Sequence, residues 1–583
     1  MTWYKNEKFS YEVFVKKYRL VFTLFILIFV CILIRLFYLQ IVKGDEYKKI
    51  SDKQSSFSIV DRAQRGNIYS ENEIVLTKNI TTFNVYFYQS IQNDIPSDKD
   101  VKELSKILGK DISHIINNSL KNKKTEKLAD NLNLEKMFKV MEKKTDMNGI
   151  FISKKVHRFY CYPKVTSHMI GHVGEICMNE LHELSKYGYK IGDYIGKNGI
   201  EGFYDKYLRG KNGRLQIETN AIGHQTGKFN YIKPEVGYNV HSTVNLELQK
   251  VAYNALKNST SGKGAVVVLD VKTGAVKALV SCPGFDANKI HSNSFSKYLN
   301  DKKLPLFNRA IQAIYPPGSV FKIIPFVSAL ELDGVVDNEK MIKCNGSFTI
   351  GNKKYSCWNR HGHGKINLFS AIIHSCNVYF YKLGIEVGVK NLEKYARKFY
   401  FDQKTEIDLP NEKKGFVSNY NSRTRWFSGD IAIFSIGQSA LWVTPIQVAC
   451  MACAIANNGV YYNPYIVDKI INQNTGKVIY VHRLSVKKKI DLSYATWSIL
   501  QEALLNVVEN GTGTRCKISN IKIAGKTGTA QNASGYDHGW FASYAPANNP
   551  EIAMAVVVEN GGSASSSAIP VSKKIYEAYF NKA

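Results

Sequence analysis

The chain has 583 residues, 44% of them hydrophobic and 22% charged, and its formal net charge is +29 at pH 7. The length allows two or three domains, and the composition is ordinary for a globular protein. The positive charge suits nucleic acid, an anionic membrane surface or an anionic polymer. Because the sequence contains neither paired zinc fingers nor an aromatic RNA-binding motif, we expect no nucleic-acid partner.

An apolar segment near the N-terminus predicts a single membrane anchor. Residues 20–42 carry one charge, Arg35, and are long enough to cross a bilayer. Arg35 opposes insertion by at most about 3 kcal/mol, whereas each apolar residue favours it by roughly 0.3–0.6 kcal/mol. Basic residues just before the segment predict that residues 1–19 are cytoplasmic and the rest extracytoplasmic. A cleaved signal peptide is the alternative, but no small-x-small site is present, since the first alanine is Ala63.

Residues 43–240 are predicted to form a membrane-proximal domain. Arg65-Gly66-Asn67-Ile68 indicates a turn that enters a short strand. Residues 97–144 are rich in Lys, Asn and Asp and favour weakly amphipathic helices at the surface. Glycines punctuate a helix within residues 196–210 that carries Glu201. Because the Gly-x-x-x-x-Gly-Lys-Ser/Thr spacing is missing, we interpret this helix as structural.

Residues 241–583 are predicted to form a second domain. Its pattern begins with a helix and a β-hairpin, continues with helices, and ends with strands and a last helix. This order favours an α+β fold in which an antiparallel sheet is flanked by helical layers. The predicted helices are 243–256, 444–456 and 572–579, and the predicted strands are 264–270, 275–281, 521–524, 539–545 and 552–559.

The stretch Tyr315-Pro316-Pro317-Gly318-Ser319-Val320-Phe321-Lys322 predicts a nucleophile. Two prolines and a glycine end the preceding structure, and the apolar residues that follow favour a buried helix, so Ser319 is expected at a helix N-terminus. Lys322 would lie one turn further on, within reach of the Ser319 hydroxyl. A neutral lysine can take that proton if its pKa falls from about 10.4 to about 7, a bias of about 4 kcal/mol. Pro325 is expected to kink this helix near its start.

Two later motifs complete the predicted constellation. Ser375-Cys376-Asn377 offers a hydroxyl that can relay a proton and a carboxamide that can hold an amide substrate. Lys526-Thr527-Gly528-Thr529, expected just after a strand, offers a cation, a hydroxyl for a carboxylate and a glycine that admits a substrate backbone. The lysine of this motif is the candidate second cation that keeps Lys322 neutral. The backbone N–H groups of Ser319 and Thr529 are the candidate oxyanion hole.

Each short motif has other copies in the chain. Ser-x-x-Lys recurs at Ser294 and Ser485, Lys-Thr-Gly recurs at residues 272–274, and Ser-x-Asn recurs at Ser70. The copy at 272–274 fits a plain hairpin turn and precedes the serine. What favours catalysis is the ordered set of three motifs, each in the context that its role requires.

With these motifs, the chain resembles a class B penicillin-binding protein, a membrane-anchored peptidoglycan D,D-transpeptidase. The resemblance covers nearly all of the chain. Asn245, Ser439 and Ser70-Glu71 depart from the family pattern, but at supporting positions rather than in the catalytic motifs. The further family-like landmarks are Arg65-Gly66-Asn67-Ile68, residues 196–213, Asn308-Arg309-Ala310, Ser435-Ile436-Gly437-Gln438, Thr444-Pro445-Ile446-Gln447 and Trp540-Phe541.

The resemblance implies an elongated pedestal over residues 43–240 and a transpeptidase domain of serine β-lactamase-like fold over residues 241–583. It implies that Ser319 attacks the D-Ala-D-Ala amide of a stem peptide, releases D-alanine and passes the acyl group to an amine of a neighbouring stem. A β-lactam would mimic the dipeptide and stay attached to the serine. No organic cofactor is implied, and a SEDS-type glycan polymerase in the membrane is the implied partner.

Three of the ten cysteines and one histidine have the spacing of a metal site. Cys344, Cys357, His363 and Cys376 are spaced C-x12-C-x5-H-x12-C, and three sulfurs with one imidazole suit a closed, structural zinc site. Some elongation-type and sporulation-type class B enzymes are similar in carrying zinc ligands at corresponding places. The alternatives are a Cys344–Cys357 disulfide or unpaired core thiols, and His361 is a rival ligand. Cys450 and Cys453 lie in an apolar helix and are expected to be core residues.

Two other functions compete with cross-linking. The same three motifs serve a D,D-carboxypeptidase or a β-lactamase, which differ in whether water reaches the acyl-enzyme. A second alternative is a non-enzymatic role, either as a β-lactam sensor or as a scaffold that mainly activates a glycan polymerase. A sensor would be expected to carry several membrane spans, and the sequence predicts one.

Overall fold

The structure is a computed structural model and describes residues 3–47, 56–87, 96–122, 126–144, 150–219, 225–290, 295–332, 339–422, 425–532 and 535–581. It contains helices together with mainly antiparallel sheets, which confirms the α+β class. The α-helices are α1 (Trp3–Phe37), α2 (Asp98–Leu108), α3 (Ser113–Asn122), α4 (Leu134–Lys144), α5 (Ser167–Ile170), α6 (Met178–Leu184), α7 (Gly199–Phe203), α8 (Asp205–Leu208), α9 (Leu246–Lys257), α10 (Phe295–Asn300), α11 (Ile323–Glu331), α12 (Leu368–Ile373), α13 (Asn377–Val387), α14 (Val389–Lys398), α15 (Ser428–Ser435), α16 (Pro445–Ala456), α17 (Tyr494–Glu509) and α18 (Ala568–Phe580).

The strands follow in the same numbering scheme. They are β1 (Ser56–Asp61), β2 (Ile68–Tyr69), β3 (Val75–Phe87), β4 (Glu126–Leu132), β5 (Ile150–Tyr160), β6 (Val173–Glu175), β7 (Tyr194–Gly196), β8 (Gly213–Thr219), β9 (Gln225–Ile232), β10 (Asn239–Ser242), β11 (Gly264–Asp270), β12 (Val276–Cys282), β13 (Ile342–Cys344), β14 (Ser347–Ile350), β15 (Lys353–Ser356), β16 (Gly364–Ile366), β17 (Phe416–Val417), β18 (Leu441–Trp442), β19 (Val460–Tyr462), β20 (Val467–Ile471), β21 (Val478–Val481), β22 (Val486–Lys489), β23 (Ala524–Ala530), β24 (His538–Ala545) and β25 (Ile552–Val558).

One compact unit contains residues 1–63 and 211–235. Its helix α1 continues into a π-helical turn, Tyr38–Val42, so that the apolar segment runs from Phe14 to Val42. Among the described residues, this is the one helix long and apolar enough to cross a membrane, as the sequence predicts. The remaining elements of the unit, β1, β8 and β9, form an antiparallel sheet.

The second unit contains residues 64–210 and 236–583 and carries two larger sheets. The first has the order β21-β20-β10-β2-β3-β4, with β5 paired to β3. Strand β10 pairs with β2 on one side and with β20 on the other. Residues 467–481, which belong to the predicted second domain, therefore extend a sheet whose other strands lie before residue 243, a long-range pairing that local patterns do not indicate.

A buried ion network joins three elements near this first sheet. Arg65 Nη2 donates to Glu201 Oε2 at 2.6 Å, and Arg158 Nε donates to Glu201 Oε1 at 2.6 Å. Arg65 also lies 2.7 Å from Asp205. The Glu201 side chain is fully buried, and a buried carboxylate persists only when it is paired in this way. The helix within residues 196–210 thus has the structural role that its sequence indicates.

The second sheet is antiparallel and has the order β12-β11-β25-β24-β23. Alternate residues of β11 pack on opposite faces: Val266 and Val268 belong to the cluster that includes α9 and α18, whereas Val267 belongs to the cluster that includes α16. Because both faces are covered, the strand is apolar throughout instead of alternating with polar residues. The predicted antiparallel sheet between helical layers is confirmed, and β23 lies at its edge.

Two predicted elements differ in detail. The strand predicted at 521–524 begins at Ala524 and runs to Ala530, so the Lys526 motif lies inside a strand and not after it. Pro325 is the third residue of α11, but the helical backbone begins earlier, with the 3₁₀ helix Gly318–Lys322, so the proline is the eighth residue of one helical run. The kink expected at this proline stays a prediction.

Candidate active site

Ser319 lies in a 3₁₀ helix, Gly318–Lys322, that runs directly into α11. In a 3₁₀ helix the side chains at positions i and i+3 eclipse one another, which puts Ser319 and Lys322 on one side. Gly318 has φ of +54°, and a Cβ there would lie 2.7 Å from the carbonyl oxygen of Thr529. Only glycine combines this backbone with so close an approach to β23. The predicted delivery of Ser319 to a helix N-terminus is present, with Ser319 half-buried.

Lys322 is fully buried and points to the second motif. Its Nζ donates to the Asn377 carboxamide oxygen at 2.6 Å, to the Ser375 carbonyl oxygen at 2.8 Å and to the Ser375 hydroxyl at 3.2 Å. Burial lowers the pKa of Lys322 to about 8, against a smaller opposing effect of the Cys376 and Cys357 sulfurs. An amine held in this way is prepared to exchange a proton with a nearby hydroxyl.

Ser375 occupies a strained position between two helices. The N–H of Cys376 donates to Ala371 and the N–H of Ser375 donates to Ile372, the two hydrogen bonds of a Schellman motif that ends α12. The residue at this place is usually glycine because its backbone is left-handed, and Ser375 has φ of +51°. A non-glycine residue in this region costs about 1–3 kcal/mol, and such strain clusters at functional sites.

The next two residues of the motif begin α13. Cys376 is its N-cap and accepts from the Tyr379 N–H at 3.5 Å. Asn377 is the first residue of the helix, and its Nδ2 donates to the Ser356 carbonyl at 3.4 Å. The carboxamide is therefore held between β15 and Lys322, with its orientation set by both contacts.

The third motif lies on the edge strand β23. A Cβ at Gly528 would lie 2.9 Å from the Pro317 carbonyl oxygen and 2.9 Å from Val320, so glycine lets the strand pass close to the 3₁₀ helix. An edge strand also keeps backbone groups available for pairing with an extended peptide. The Thr529 side chain is exposed, and the Thr527 hydroxyl lies 2.6 Å from the Thr512 hydroxyl.

The coupling between the two lysines differs from the prediction. Burial lowers the pKa of Lys526 well below its ordinary value, and the charge of Lys322 lowers it further. For Lys322 itself, burial is the dominant cause. The charge of Lys322 thus affects Lys526, whereas the sequence interpretation expects the reverse effect, and the role of Lys526 as the resident cation stays a prediction.

A Cys/His cluster lies directly behind the second motif. The ligand atoms of Cys344, Cys357, His363 and Cys376 all lie within 4.8 Å of one another, and both Cys344 Sγ and Cys357 Sγ lie 3.6 Å from His363 Nδ1. A tetrahedral zinc ion with ordinary bond lengths would require ligand atoms about 3.5–3.8 Å apart. A hydrogen bond from Cys376 lowers the pKa of Cys357 to about 4, which gives the thiolate form that binds metal.

The structure also bears on the other interpretations of the cysteines and histidines. The three cluster cysteines are free thiols, so the Cys344–Cys357 disulfide is absent from the described structure. His361 is exposed and lies outside the cluster. Cys450 and Cys453 are buried in α16, as core residues of the apolar helix.

The structure also brings residues to the site that the motifs do not include. Tyr315 donates to Glu559 at 2.6 Å and Arg309 donates to the same oxygen at 2.9 Å, which ties the segment before Ser319 to the end of β25. Thr512 contacts Thr527, as above, and Trp358 donates to the Ser375 carbonyl at 3.1 Å. The position of Trp358 next to Cys357 is the only signal in the sequence that could have indicated its part.

Comparisons with known proteins agree over almost the whole chain. Residues 264–577 match the penicillin binding protein transpeptidase domain, and residues 60–242 match the penicillin-binding protein dimerisation domain. The chain is 33% identical to the peptidoglycan D,D-transpeptidase MrdA of Acinetobacter baumannii, over 94% of this chain and 85% of the relative. It is 28% identical to stage V sporulation protein D of Bacillus subtilis, over 93% of this chain and 81% of the relative.

Solved structures give the same result. The chain resembles the protein in a complex between penicillin-binding protein PBP2 and MreC from Helicobacter pylori, with a TM-score of 0.73, 26% identity and coverage of 90% of this chain and 99% of the other. It also resembles a chain in a peptidoglycan synthase complex that coordinates polymerization and crosslinking, with a TM-score of 0.74, 25% identity and coverage of 97% and 98%. The chain therefore belongs to the class B penicillin-binding proteins, with the dimerisation and transpeptidase domains of that family.

Proposed function

We propose that the chain is a peptidoglycan D,D-transpeptidase in which Ser319 is the nucleophile and Lys322 its general base. The observation that carries these roles is the buried Lys322 amine, one 3₁₀ turn from Ser319 and within 3.2 Å of the Ser375 hydroxyl and the Asn377 carboxamide. Burial holds the pKa of this amine near 8, which makes its neutral form accessible at the pH of the cell surface.

Acylation follows from this geometry. Lys322 Nζ takes the proton of Ser319, and Ser319 Oγ bonds to the carbonyl carbon of the D-Ala-D-Ala amide. The backbone N–H groups of Ser319 and Thr529 stabilise the oxyanion. The proton then passes from Lys322 through the Ser375 hydroxyl to the amide nitrogen as the carbon–nitrogen bond breaks and D-alanine leaves.

The substrate carboxylate gives Lys526 its charge in this proposal. Thr527, Thr529 and the backbone beside Gly528 form the edge at which a D-Ala carboxylate would bind. An anion near a lysine favours the protonated form and raises the pKa of that lysine. Once protonated, Lys526 would in turn favour the neutral form of Lys322. Substrate binding would thereby produce the protonated Lys526 that the sequence interpretation assigns to the substrate-free site.

A pH profile tests the assignment of Lys322. Because the base acts only when neutral, the second-order acylation constant for a penicillin should rise about tenfold per pH unit below pH 8 and level off above it. The first-order acylation constant at saturating penicillin should level off at a lower pH, since the bound carboxylate favours protonated Lys526, and the charge of Lys526 then favours neutral Lys322. Rapid-quench acylation between pH 5.5 and 9.5 measures both constants, and a profile flat over this range would contradict the assignment.

Transpeptidation and hydrolysis are distinguished by the fate of the acyl-enzyme. With a stem-peptide substrate, D-alanine release should increase when an acceptor stem with a free amine is added. A cross-linked product should appear whose mass is that of donor plus acceptor less one D-alanine. With a labelled penicillin, the acyl-enzyme should persist for minutes or longer. Release of the label in seconds, with no cross-linked product at any acceptor concentration, would instead indicate a carboxypeptidase or a β-lactamase.

We further propose that Cys344, Cys357, His363 and Cys376 hold a structural zinc ion. The donor set leaves no open position for substrate, and its three cysteines are fully buried. The ion would therefore join segments of the protein and take no part in the reaction. It would hold β13, the end of β15 and the start of α13 together, and thereby fix Ser375 and Asn377 on either side of Cys376. No organic cofactor has a part in the proposed reaction.

The anchor and the pedestal suggest the setting of the reaction. We propose that residues 1–19 face the cytoplasm, residues 20–42 cross the membrane, and the pedestal (residues 43–240) and transpeptidase domain (residues 241–583) lie outside it, since the basic residues precede the apolar segment. Related proteins occur in complexes with MreC and in a peptidoglycan synthase complex. The second complex supports a glycan polymerase as partner. We propose that this partner is a membrane protein of SEDS type, which co-purification through a tag on the full-length chain would test.

A further inference from the structure

Trp358 is an exposed aromatic residue whose indole N–H lies within hydrogen-bond distance of two backbone carbonyls. Its side chain follows Cys357 and is 58% exposed. Its indole Nε1 nevertheless donates to the carbonyl oxygen of His374 at 3.0 Å and to that of Ser375 at 3.1 Å. An exposed tryptophan usually satisfies its N–H with water, so this bifurcated contact assigns the indole to one particular piece of backbone.

The two carbonyls that accept from the indole belong to His374 and to Ser375, whose backbone is strained. His374 is the C-cap of α12, where helix carbonyls lack partners inside the helix, and Ser375 is the left-handed residue that follows it. The Ser375 carbonyl oxygen has two lone pairs, and its two donors are Lys322 Nζ and Trp358 Nε1. Loss of the indole donor would leave this carbonyl oxygen with Lys322 Nζ as its one donor among the described residues.

The indole ring also packs against the Cys/His cluster. Its ring lies 5.4 Å from the His363 ring at an interplanar angle of 64°, an edge-type contact, and its backbone continues from Cys357. Both neighbours belong to the Cys/His cluster. The cluster therefore reaches Ser375 by two routes, through the backbone of Cys376 and through the indole N–H of Trp358.

We propose that Trp358 is a positioning residue for acylation, whose N–H holds Ser375 so that its hydroxyl can pass a proton to the departing amine. The inference rests on the proposed role of Ser375. Asn377 has separate contacts to Ser356 and Lys322, so it keeps its place when Trp358 is changed. The proposal therefore places the effect in the acylation step and not in the first, non-covalent binding of substrate.

The test compares Trp358→Phe, which keeps an aromatic ring and loses the N–H, with Tyr355→Phe, which removes one polar group from the same hairpin away from Ser375. For a penicillin, we expect Trp358→Phe to lower the first-order acylation constant at least about tenfold, with the non-covalent dissociation constant within twofold of wild type. Tyr355→Phe should leave both constants within twofold. An unchanged acylation constant in Trp358→Phe, or a change confined to the dissociation constant, would overturn the proposal.

A double-mutant cycle separates positioning from general destabilisation. If Trp358 acts through Ser375, adding Trp358→Phe to Ser375→Ala should lower the acylation constant less than twofold further. A full tenfold further loss would show that Trp358 acts elsewhere and would overturn the proposal. Where Trp358→Phe folds poorly, Trp358→His retains a ring N–H and should acylate faster than Trp358→Ala. If wild-type protein is not acylated at all, the proposed function itself is contradicted. That result differs from the outcomes above, which concern Trp358 alone.

Discussion

Replacing Lys322 by methionine is expected to lower the acylation rate of Ser319 by a factor on the order of 10⁴ or more, because removal of one member of a catalytic unit has effects of this size. Methionine fills a similar volume and carries no charge. Removal of a buried ammonium favours stability, whereas loss of its hydrogen bonds to Ser375 and Asn377 opposes it, so the variant should unfold within about 4 °C of wild type. Acylation time courses by intact mass, together with thermal unfolding, measure both effects.

The matched control for this variant is Lys488→Met. Lys488 belongs to another Ser-x-x-Lys copy in the chain, beginning at Ser485, and its side chain is exposed. The control should acylate within twofold of wild type. If Lys322→Met is acylated at a rate within tenfold of wild type at pH 7, a different group takes the proton and Lys526 becomes the first candidate.

Replacing Cys376 by serine should have the largest effect on the zinc content and on stability. Serine can still cap α13, so the substitution removes the metal-binding sulfur and keeps the N-cap. We expect zinc to fall from one per protein to well below half, and the free energy of unfolding to fall by at least about 2 kcal/mol, or about 4 °C or more in Tm for a domain of this size. Acylation should slow as well, because Ser375 and Asn377 flank the altered position.

Cys177→Ser provides the comparison, since Cys177 is exposed and also precedes a helix, α6. Metal analysis and thermal unfolding of both variants should show the loss only for Cys376→Ser. Treatment of wild-type protein with a zinc chelator should reproduce the fall in Tm. Purified wild-type protein that holds no zinc, or a Cys376→Ser variant that keeps a full equivalent, would contradict the proposed metal site.

The sequence was informative where chemistry depends on local pattern. The Pro-Pro-Gly stop before Ser319, the apolar hairpin from Gly264 to Cys282 and the spacing of the cysteines each predict a feature that the structure contains. These features depend on residues close in the chain or on a known ligand geometry. The three catalytic motifs also meet at one site, although they are separated by more than 200 residues between Ser319 and Lys526.

What the sequence did not indicate depends on contacts between distant segments. The pairing of β10 with β20 joins residues more than 200 positions apart, and no local period marks it. The left-handed backbone of Ser375 would have been predicted only if that residue were glycine. The coupling of Lys526 to Lys322 follows from the burial of both amines, which composition does not reveal.

The strain at Ser375 is consistent with a site selected for reaction and not for stability. A glycine there would relieve the backbone and lose the hydroxyl that the proposed proton relay needs. The surrounding contacts from Lys322, Trp358 and the Cys/His cluster offset that strain. This balance explains why so many polar groups converge on a segment of three residues.

The most direct measurement of the central claim is intact mass after exposure of the full-length protein, in detergent, to a penicillin. The account predicts one added penicillin per wild-type chain, located by peptide mapping on the segment that contains Ser319, and no added mass on Ser319→Ala under the same conditions. Wild-type protein that gains no mass, or a Ser319→Ala variant that gains it equally, would contradict the account.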